Sequence, residues 1–209
     1  MSEHKNNVPK LRFPEFTDPW EQRKLGELSE PLMYGLNAAS TDFDGINKYI
    51  RITDIDDETR MFKMDGLTSP VFQPNESEKY KLELGDLLFA RTGASVGKTY
   101  IYKASDGLVY FAGFLIRARI KPDYVADFVF QNTLTEQYKQ FIQITSQRSG
   151  QPGVNAQEYE SYSFLVPNKQ EQKLIGTFFN QMDNLITLHQ RELNNLINLK
   201  KSLLEKMFV

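Results

Sequence analysis

The segment Gly93-Ala-Ser-Val-Gly97-Lys98-Thr99 carries the residue types of a phosphate-binding loop. Such a loop wraps phosphates in backbone N–H groups, sets a lysine on them, and opens a helix whose N-terminal dipole holds the anion. Here three residues separate the glycines where the nucleotide loop has four. The continuation Tyr100-Ile-Tyr102 alternates as a strand does. Nucleotide hydrolysis is therefore not this chain's chemistry. Asp123 and Glu171-Gln-Lys173 offer the acids of a nuclease, but they lie far apart and Glu171 belongs to a helix start. Asp18-Pro-Trp20 is not the tetrapeptide that clasps a target base for methyl transfer, and Phe111-Ala-Gly113 lacks the second glycine of a cofactor loop. Nucleophilic catalysis needs a base beside the nucleophile, and the 2 histidines, His4 and His189, are poorly placed for it. Asp54, Asp56 and Asp57 could hold a magnesium ion but read better as an exposed acidic turn. The chain reads as non-catalytic, with no cofactor of its own.

What remains is binding chemistry. Reading base edges calls for rigid strands that present loops carrying Arg, Lys, Gln, Ser and Asn. Arg91, Thr92, Ser95 and Lys98 lie on one such loop, and Gln147, Arg148, Ser149, Gln151 and Asn155 on another. Arginine can clasp guanine with two hydrogen bonds, whereas Lys98 and Lys103 suit phosphates, which position a protein without specifying sequence. Solvent-facing turns are the alternative reading of both loops. The net charge of −2 counts against non-specific coating of nucleic acid, but not against a reader whose positive charge is local. The charge is indeed uneven. Arg91, Lys98, Lys103, Arg117, Arg119 and Lys121 face Asp106 alone over their stretch, while acids dominate from Asp42 to Arg60. Chance clustering on a solvated surface would give the same pattern.

A chain of 209 residues with 40% hydrophobic content can bury a core, and 15 Phe and 10 Tyr favour strands in it. With 0 cysteines, disulfides and cysteine zinc sites are excluded and a reducing cytoplasm is the simplest location. Met1 to Lys10 is polar and lacks the apolar core of a secretory signal; looseness is expected there. No stretch approaches the ~18 apolar residues of a membrane span.

Short apolar runs broken by turns fill residues 11 to about 167. Lys48–Thr53, Asp86–Ala90, Lys98–Tyr102, Leu108–Ile116 and Ser161–Val166 read as strands, with Gly93 and Gly97 turning the second into the third. Helical spacing of Val125, Phe128, Val129, Leu134, Tyr138, Phe141 and Ile142 predicts one helix capped by Asp123. The polar run Thr145–Val154 should be an exposed loop.

After Pro167 the character changes. Asn168 with Glu171 resembles a capping box. Beyond it Ile175, Met182, His189, Leu196 and Leu203 recur every seven residues, flanked by Phe178, Leu185 and Leu199. That repeat marks a helix lying along another long helix, and a domain of this size cannot cover it, so a partner must. His189 reads as a polar layer of this seam rather than a metal ligand, and Gly176 weakens the stripe. The expected fold is α+β: a mixed, β-rich globular domain over residues 1–167, then one long coiled-coil-forming helix over 168–209.

Several stretches resemble the specificity subunits of Type I restriction–modification systems. They are Lys10-Leu-Arg-Phe-Pro-Glu-Phe16 with Trp20 and Lys24-Leu-Gly-Glu-Leu28; Tyr49-Ile-Arg-Ile-Thr-Asp-Ile55; Gly85-Asp-Leu-Leu-Phe-Ala-Arg-Thr-Gly93; Ser149-Gly-Gln-Pro-Gly-Val-Asn155; and the helix ends Val166–Ile175 and Leu199–Phe208. The resemblance covers nearly the whole chain. It implies a target recognition domain reading one half of a split double-stranded DNA site, and a helix that sets the spacing and docks methyltransferase subunits. A nuclease/translocase subunit could join them, with catalysis, methyl donor and ATP belonging to the partners. Full members carry two recognition domains and two long helices, whereas this chain has one of each and no internal repeat. It is either a natural half subunit or a piece of a longer one. The missing half suggests a homodimer through antiparallel helices. A coiled-coil interaction module with a protein-binding head is the alternative function.

Overall fold

The computed structural model describes residues 7–71 and 77–208. In chain order the elements are β1 (Glu21–Lys24), α1 (Leu25–Leu28), β2 (Met33–Tyr34), β3 (Ser40–Asp42), β4 (Lys48–Ile50), β5 (Thr68–Pro70), β6 (Asp86–Ala90), β7 (Thr99–Ile101), β8 (Val109–Phe111), β9 (Leu115–Arg119), α2 (Ala126–Asn132), α3 (Glu136–Thr145), α4 (Ala156–Glu160), β10 (Ser163–Val166) and α5 (Lys169–Met207). The architecture is the expected one, a mixed β-rich domain followed by one long helix.

An antiparallel sheet ordered β2-β9-β6-β7 forms the centre. All five residues of β6 are buried, because both faces of the sheet are covered. Leu87 and Phe89 enter one apolar cluster with α1, α2, α3 and α4, while Leu88 and Ala90 enter another with β4 and β8. A strand buried on both faces reads as a continuous apolar run without alternation, as Leu87-Leu-Phe-Ala90 does. Around the centre, β1 pairs antiparallel with β10, β3 antiparallel with β5, and β4 parallel with β8.

Strands β7 and β10 are each two residues shorter than expected, and three expected elements differ more. The Lys48–Thr53 strand stops at Ile50, because the Arg51 guanidinium turns onto Asp54 with two bonds of 2.8 and 2.9 Å and bends the chain into a 3-10 turn. Leu108–Ile116 is two strands, β8 and β9, parted by a turn closed by the Leu115 N–H on the Ala112 carbonyl at 2.8 Å. The helix expected from Asp123 to Ile142 is split into α2 and α3. Thr133 donates its hydroxyl to the Phe130 carbonyl, and Thr135 caps the second helix by accepting from the Tyr138 N–H. Short hydroxyl side chains compete with the helical ladder in this way. Asp123 caps nothing; Val125 occupies the cap position, its N–H on Gln172 Oε1 at 3.0 Å.

The helix α5 is 39 residues long, about 58 Å at ~1.5 Å per residue. Asn168 caps it, Oδ1 accepting the Glu171 N–H at 3.0 Å. The reciprocal bond of a capping box is not made, because the Glu171 carboxylate is taken by Arg12 (2.8 Å to each oxygen) and by the Trp20 indole N–H at 3.3 Å. Gly176 has a packing reason: a Cβ there would lie 2.9 Å from Asp127 Cβ and 3.2 Å from the Phe128 nitrogen, so only glycine lets α5 press this closely on α2. Asn180 and Asp183 continue the contact through Asp127 and Gln131, both at 2.7 Å. From Leu188 onward the helix runs clear of the head and nearly every residue is exposed. No helix among the described residues is long and apolar enough to cross a membrane. The expected looseness at the start falls mostly on residues 1–6, outside the described ones, while Asn7 is tied by its carbonyl to the Trp20 N–H at 3.0 Å.

Candidate nucleic-acid interface

Four segments converge at one end of the central sheet: the β6–β7 turn, the β8–β9 turn, the chain following β2, and the loop from α3 to α4. The register dictates this, since Ala90 at the end of β6 faces Leu115 at the start of β9, and Ile116 faces Tyr34. The two loops read separately from the sequence are laced together. Gly93 N–H meets the Pro152 carbonyl at 3.0 Å, Val154 N–H meets the Arg91 carbonyl at 2.9 Å, and Thr92 and Gly153 form a bridge between them. Beneath them Tyr159 donates its hydroxyl to the Ala90 carbonyl at 2.7 Å and packs its ring 4.9 Å from Phe89.

The glycines of the apparent phosphate loop serve this turn. Gly93 and Gly97 have φ of 76° and 83°, the left-handed region open to glycine, and a Cβ on Gly97 would sit 2.7 Å from Ile142 Cγ2. The chain then enters β7, so the helix N-terminus that would hold a phosphate is absent.

The predicted contact residues fall into two groups. Arg91, Thr92, Arg148, Gln151 and Asn155 line one cleft, together with Tyr34. The Arg91 guanidinium lies 5.0 Å over the Tyr34 ring and meets no carboxylate among the described residues. Arg148 is held by Glu158 at 2.5 and 2.6 Å, and Asn155 caps α4 through the Glu158 N–H at 2.9 Å. Gln147 and Ser149 are exposed on the same loop, and Ser95 is half-buried in the β6–β7 turn. Lys98 and Lys103 stand apart. Lys98 is only 6% exposed, its ammonium donating to the Ile55 carbonyl at 3.1 Å and paired with Asp57 at 2.5 Å. Lys103 follows β7 at the far end of the hairpin, beside Asp86 rather than Arg91.

The basic run from Arg91 to Lys121 does not make one patch. Arg119 is bound by Asp86 and Glu83, and Lys121 donates to the Glu27 carbonyl. Arg117 is buried over the Phe111 ring, and burial holds its guanidinium below the ordinary range despite nearby Asp86. Nor do the acids of the 54–57 turn converge. Asp54 holds Arg51, Asp57 holds Lys98, and Asp56 accepts from the Glu58 and Thr59 N–H groups. Hydrogen bonds from Thr59 lower the Asp56 carboxyl below its usual range.

Residues not singled out from the sequence complete the site. A cup of about 610 Å³ beside the cleft is lined by Leu36, Ile52 and Ala112 and by Tyr34, Arg51, Arg91 and Phe114, among others. Tyr34 sits in a strand too short for any periodic signal. Phe114, next to a turn glycine and flanked by core strands, was open to detection.

Along α5 the seam residues divide as well. Ile175 packs against the core of the head. Phe178 meets Phe13 edge-on at 6.5 Å but stays half exposed. Met182, Leu185, Leu196, Leu199 and Leu203 are exposed and apolar. His189 is exposed beside Glu192 at 3.2 Å.

The family of Type I restriction modification DNA specificity domains matches residues 17–199. The chain belongs to that family. It is 27% identical over 213 residues to the type I restriction enzyme MjaX specificity subunit of Methanocaldococcus jannaschii, covering 97% of this chain and 48% of that one. Its fold is similar to the S subunit of a Type-I restriction-modification system from M. genitalium (TM-score 0.61, 16% identity, 90% of this chain and 46% of the other). It is similar also to the HsdS subunit from Thermoanaerobacter tengcongensis (TM-score 0.56, 15% identity, 86% and 41%). The chain spans about half the length of the curated relative it matches.

Proposed function

We propose that this chain is the sequence-reading subunit of a Type I restriction–modification assembly, recognising one half of a bipartite site in double-stranded DNA. The observation that carries this is the meeting of Arg91, Thr92, Arg148, Gln151 and Asn155 on two loops laced together at one end of a sheet whose strand β6 is buried throughout. Rigid presentation of such side chains is what base-edge readout requires. Arg91, pre-set by the Tyr34 ring and without a carboxylate partner among the described residues, is the group best suited to clasp a guanine edge. Lys98 is a structural cation in this reading, since a phosphate would have to displace Asp57 from it.

The uncovered apolar face of α5 supports a second role, docking methyltransferase subunits and a second copy of the chain in antiparallel register. Two copies would give the pair twofold symmetry and a palindromic, interrupted target. Methyl transfer, and DNA cleavage where a nuclease/translocase subunit is present, belong to those partners. The test is methylome sequencing of cells carrying this chain with its cognate methyltransferase, followed by binding of the assembled complex to the methylated motif and to a scrambled duplex. Equal affinity for the two overturns the proposal.

A further inference from the structure

Phe114 is 62% exposed although it stands between strands β8 and β9, which are buried except at Arg119. A single exposed aromatic residue needs no explanation by itself, but three observations single this one out. Its backbone is anchored: its carbonyl accepts the Arg91 N–H at 3.1 Å, and the turn is closed by the Leu115 N–H on the Ala112 carbonyl at 2.8 Å. It lines the cup together with Arg91, whose guanidinium also reaches the neighbouring Gly113 carbonyl at 3.5 Å. And the lining they share includes the apolar Leu36, Ile52 and Ala112, beside the polar Asn37, Ser40 and Thr53. A guanidinium fork next to an exposed aromatic ring on an anchored backbone matches a duplex edge that offers acceptors beside a methyl group. In the major groove those are the guanine O6 and N7 acceptors and the thymine C5-methyl, which Phe contacts directly.

We propose that Phe114 is a specificity-determining residue that reads the C5-methyl group of a thymine next to the base pair clasped by Arg91. This rests on the DNA-reading function proposed above. Phe114 supplies no hydrogen bond, so it distinguishes thymine by contact area alone, and loss of the methyl group should cost about fourfold in affinity, the worth of one buried methyl.

The experiment uses the complex with the methyltransferase. Each thymine of the cognate half-site is replaced in turn by deoxyuridine, which keeps base pairing and removes the methyl. Binding is measured for the parent, Phe114→Ala and Phe114→Leu. One position should weaken parent binding about fourfold, the same replacement should cost Phe114→Ala nothing further, and Phe114→Leu should fall between. A flat uracil scan with cognate preference intact, a methyl effect that persists in Phe114→Ala, or a half-site without thymine overturns this assignment alone. Loss of methyltransferase assembly in Phe114→Ala, with the methyl effect absent in the parent, makes Phe114 a protein contact instead. Equal binding of cognate and scrambled duplex by the parent overturns the DNA reading itself.

Discussion

Arg12 grips Glu171 with two hydrogen bonds of 2.8 Å across 159 residues of sequence, and Glu171 is wholly buried. The pair ties the start of the chain to the first turn of α5, with the Trp20 indole as a third partner. Removing one member of a buried pair leaves the other charge uncompensated, which costs far more than replacing both. Arg12→Ala should therefore lower the unfolding temperature by roughly 5–10 °C, while Arg12→Met with Glu171→Met recovers most of the loss. Thermal melts of the single and double variants check this.

Arg91→Ala should reduce affinity for the cognate site by about 1–3 kcal/mol more than for scrambled duplex. Lys98→Ala should act otherwise. It orphans the buried Ile55 carbonyl, costing about 1–3 kcal/mol of stability, and leaves the salt dependence of DNA binding unchanged. Titrations across salt concentration, beside denaturation curves, separate the two; a salt slope reduced by about one in Lys98→Ala would restore it as a phosphate contact.

Leu196→Asp and Leu203→Asp lie on the part of α5 that the head does not cover. Both variants should keep the stability of the head and lose assembly, because the charge becomes buried only when a partner packs on the helix. Light scattering, alone and with the methyltransferase, reads the result; assembly as tight as the parent's would place the interface elsewhere.

Gly176→Ala sets two effects against each other. Alanine gains up to ~1 kcal/mol in helix propensity, but the new Cβ would come 2.9 Å from Asp127 Cβ, and overpacking typically costs about 1–3 kcal/mol. Net destabilisation is expected. A melting temperature above the parent's would show that α5 moves off α2 freely.

Asp44 provides a pH signature. Hydrogen bonds from the Asn47 side chain, then from the Asn47 and Ile46 N–H groups, lower its carboxyl to about 2 from an ordinary 3.8. A depressed carboxyl contributes stability that is present above its unfolded value and lost as pH falls through its folded value. The contribution thus disappears between pH 3.8 and about 2. Asp44→Asn should lose this contribution at neutral pH and approach the parent's stability below about pH 2, flattening the acid limb in that window; denaturation curves of parent and variant across pH check this.

The fold was legible where a local pattern is a sufficient cause. The apolar run of β6, the glycine turn into β7 and the heptad stripe of α5 each follow from composition and spacing. Contacts between distant residues were not. The split of α2 from α3 depends on hydroxyl bonds of Thr133 and Thr135, and the Thr133 hydroxyl that donates to the Phe130 carbonyl also lies 2.8 Å from the Thr99 hydroxyl of β7. The two polar loops could be read singly, but not the bridge from Thr92 to Gly153 that makes them one surface. Lys98 looked like a free cation because its partners, Ile55 and Asp57, come from another part of the chain. Gly176 looked like a flaw in the helix because nothing local reveals α2 lying against it.

The helix α5 is gripped near its root, through Glu171, Gly176, Asn180 and Asp183, and runs free beyond Thr187. It is therefore a lever whose free arm is about 30 Å long at ~1.5 Å per residue. A tilt of roughly 6° at the root would swing the tip by about 3 Å, close to the ~3.4 Å step between base pairs. If the rod spaces two half-sites, as the proposed function implies, angular play of a few degrees at the root is equivalent to miscounting one base pair, and the stiffness of a handful of contacts at the helix base sets the tolerance of that spacing.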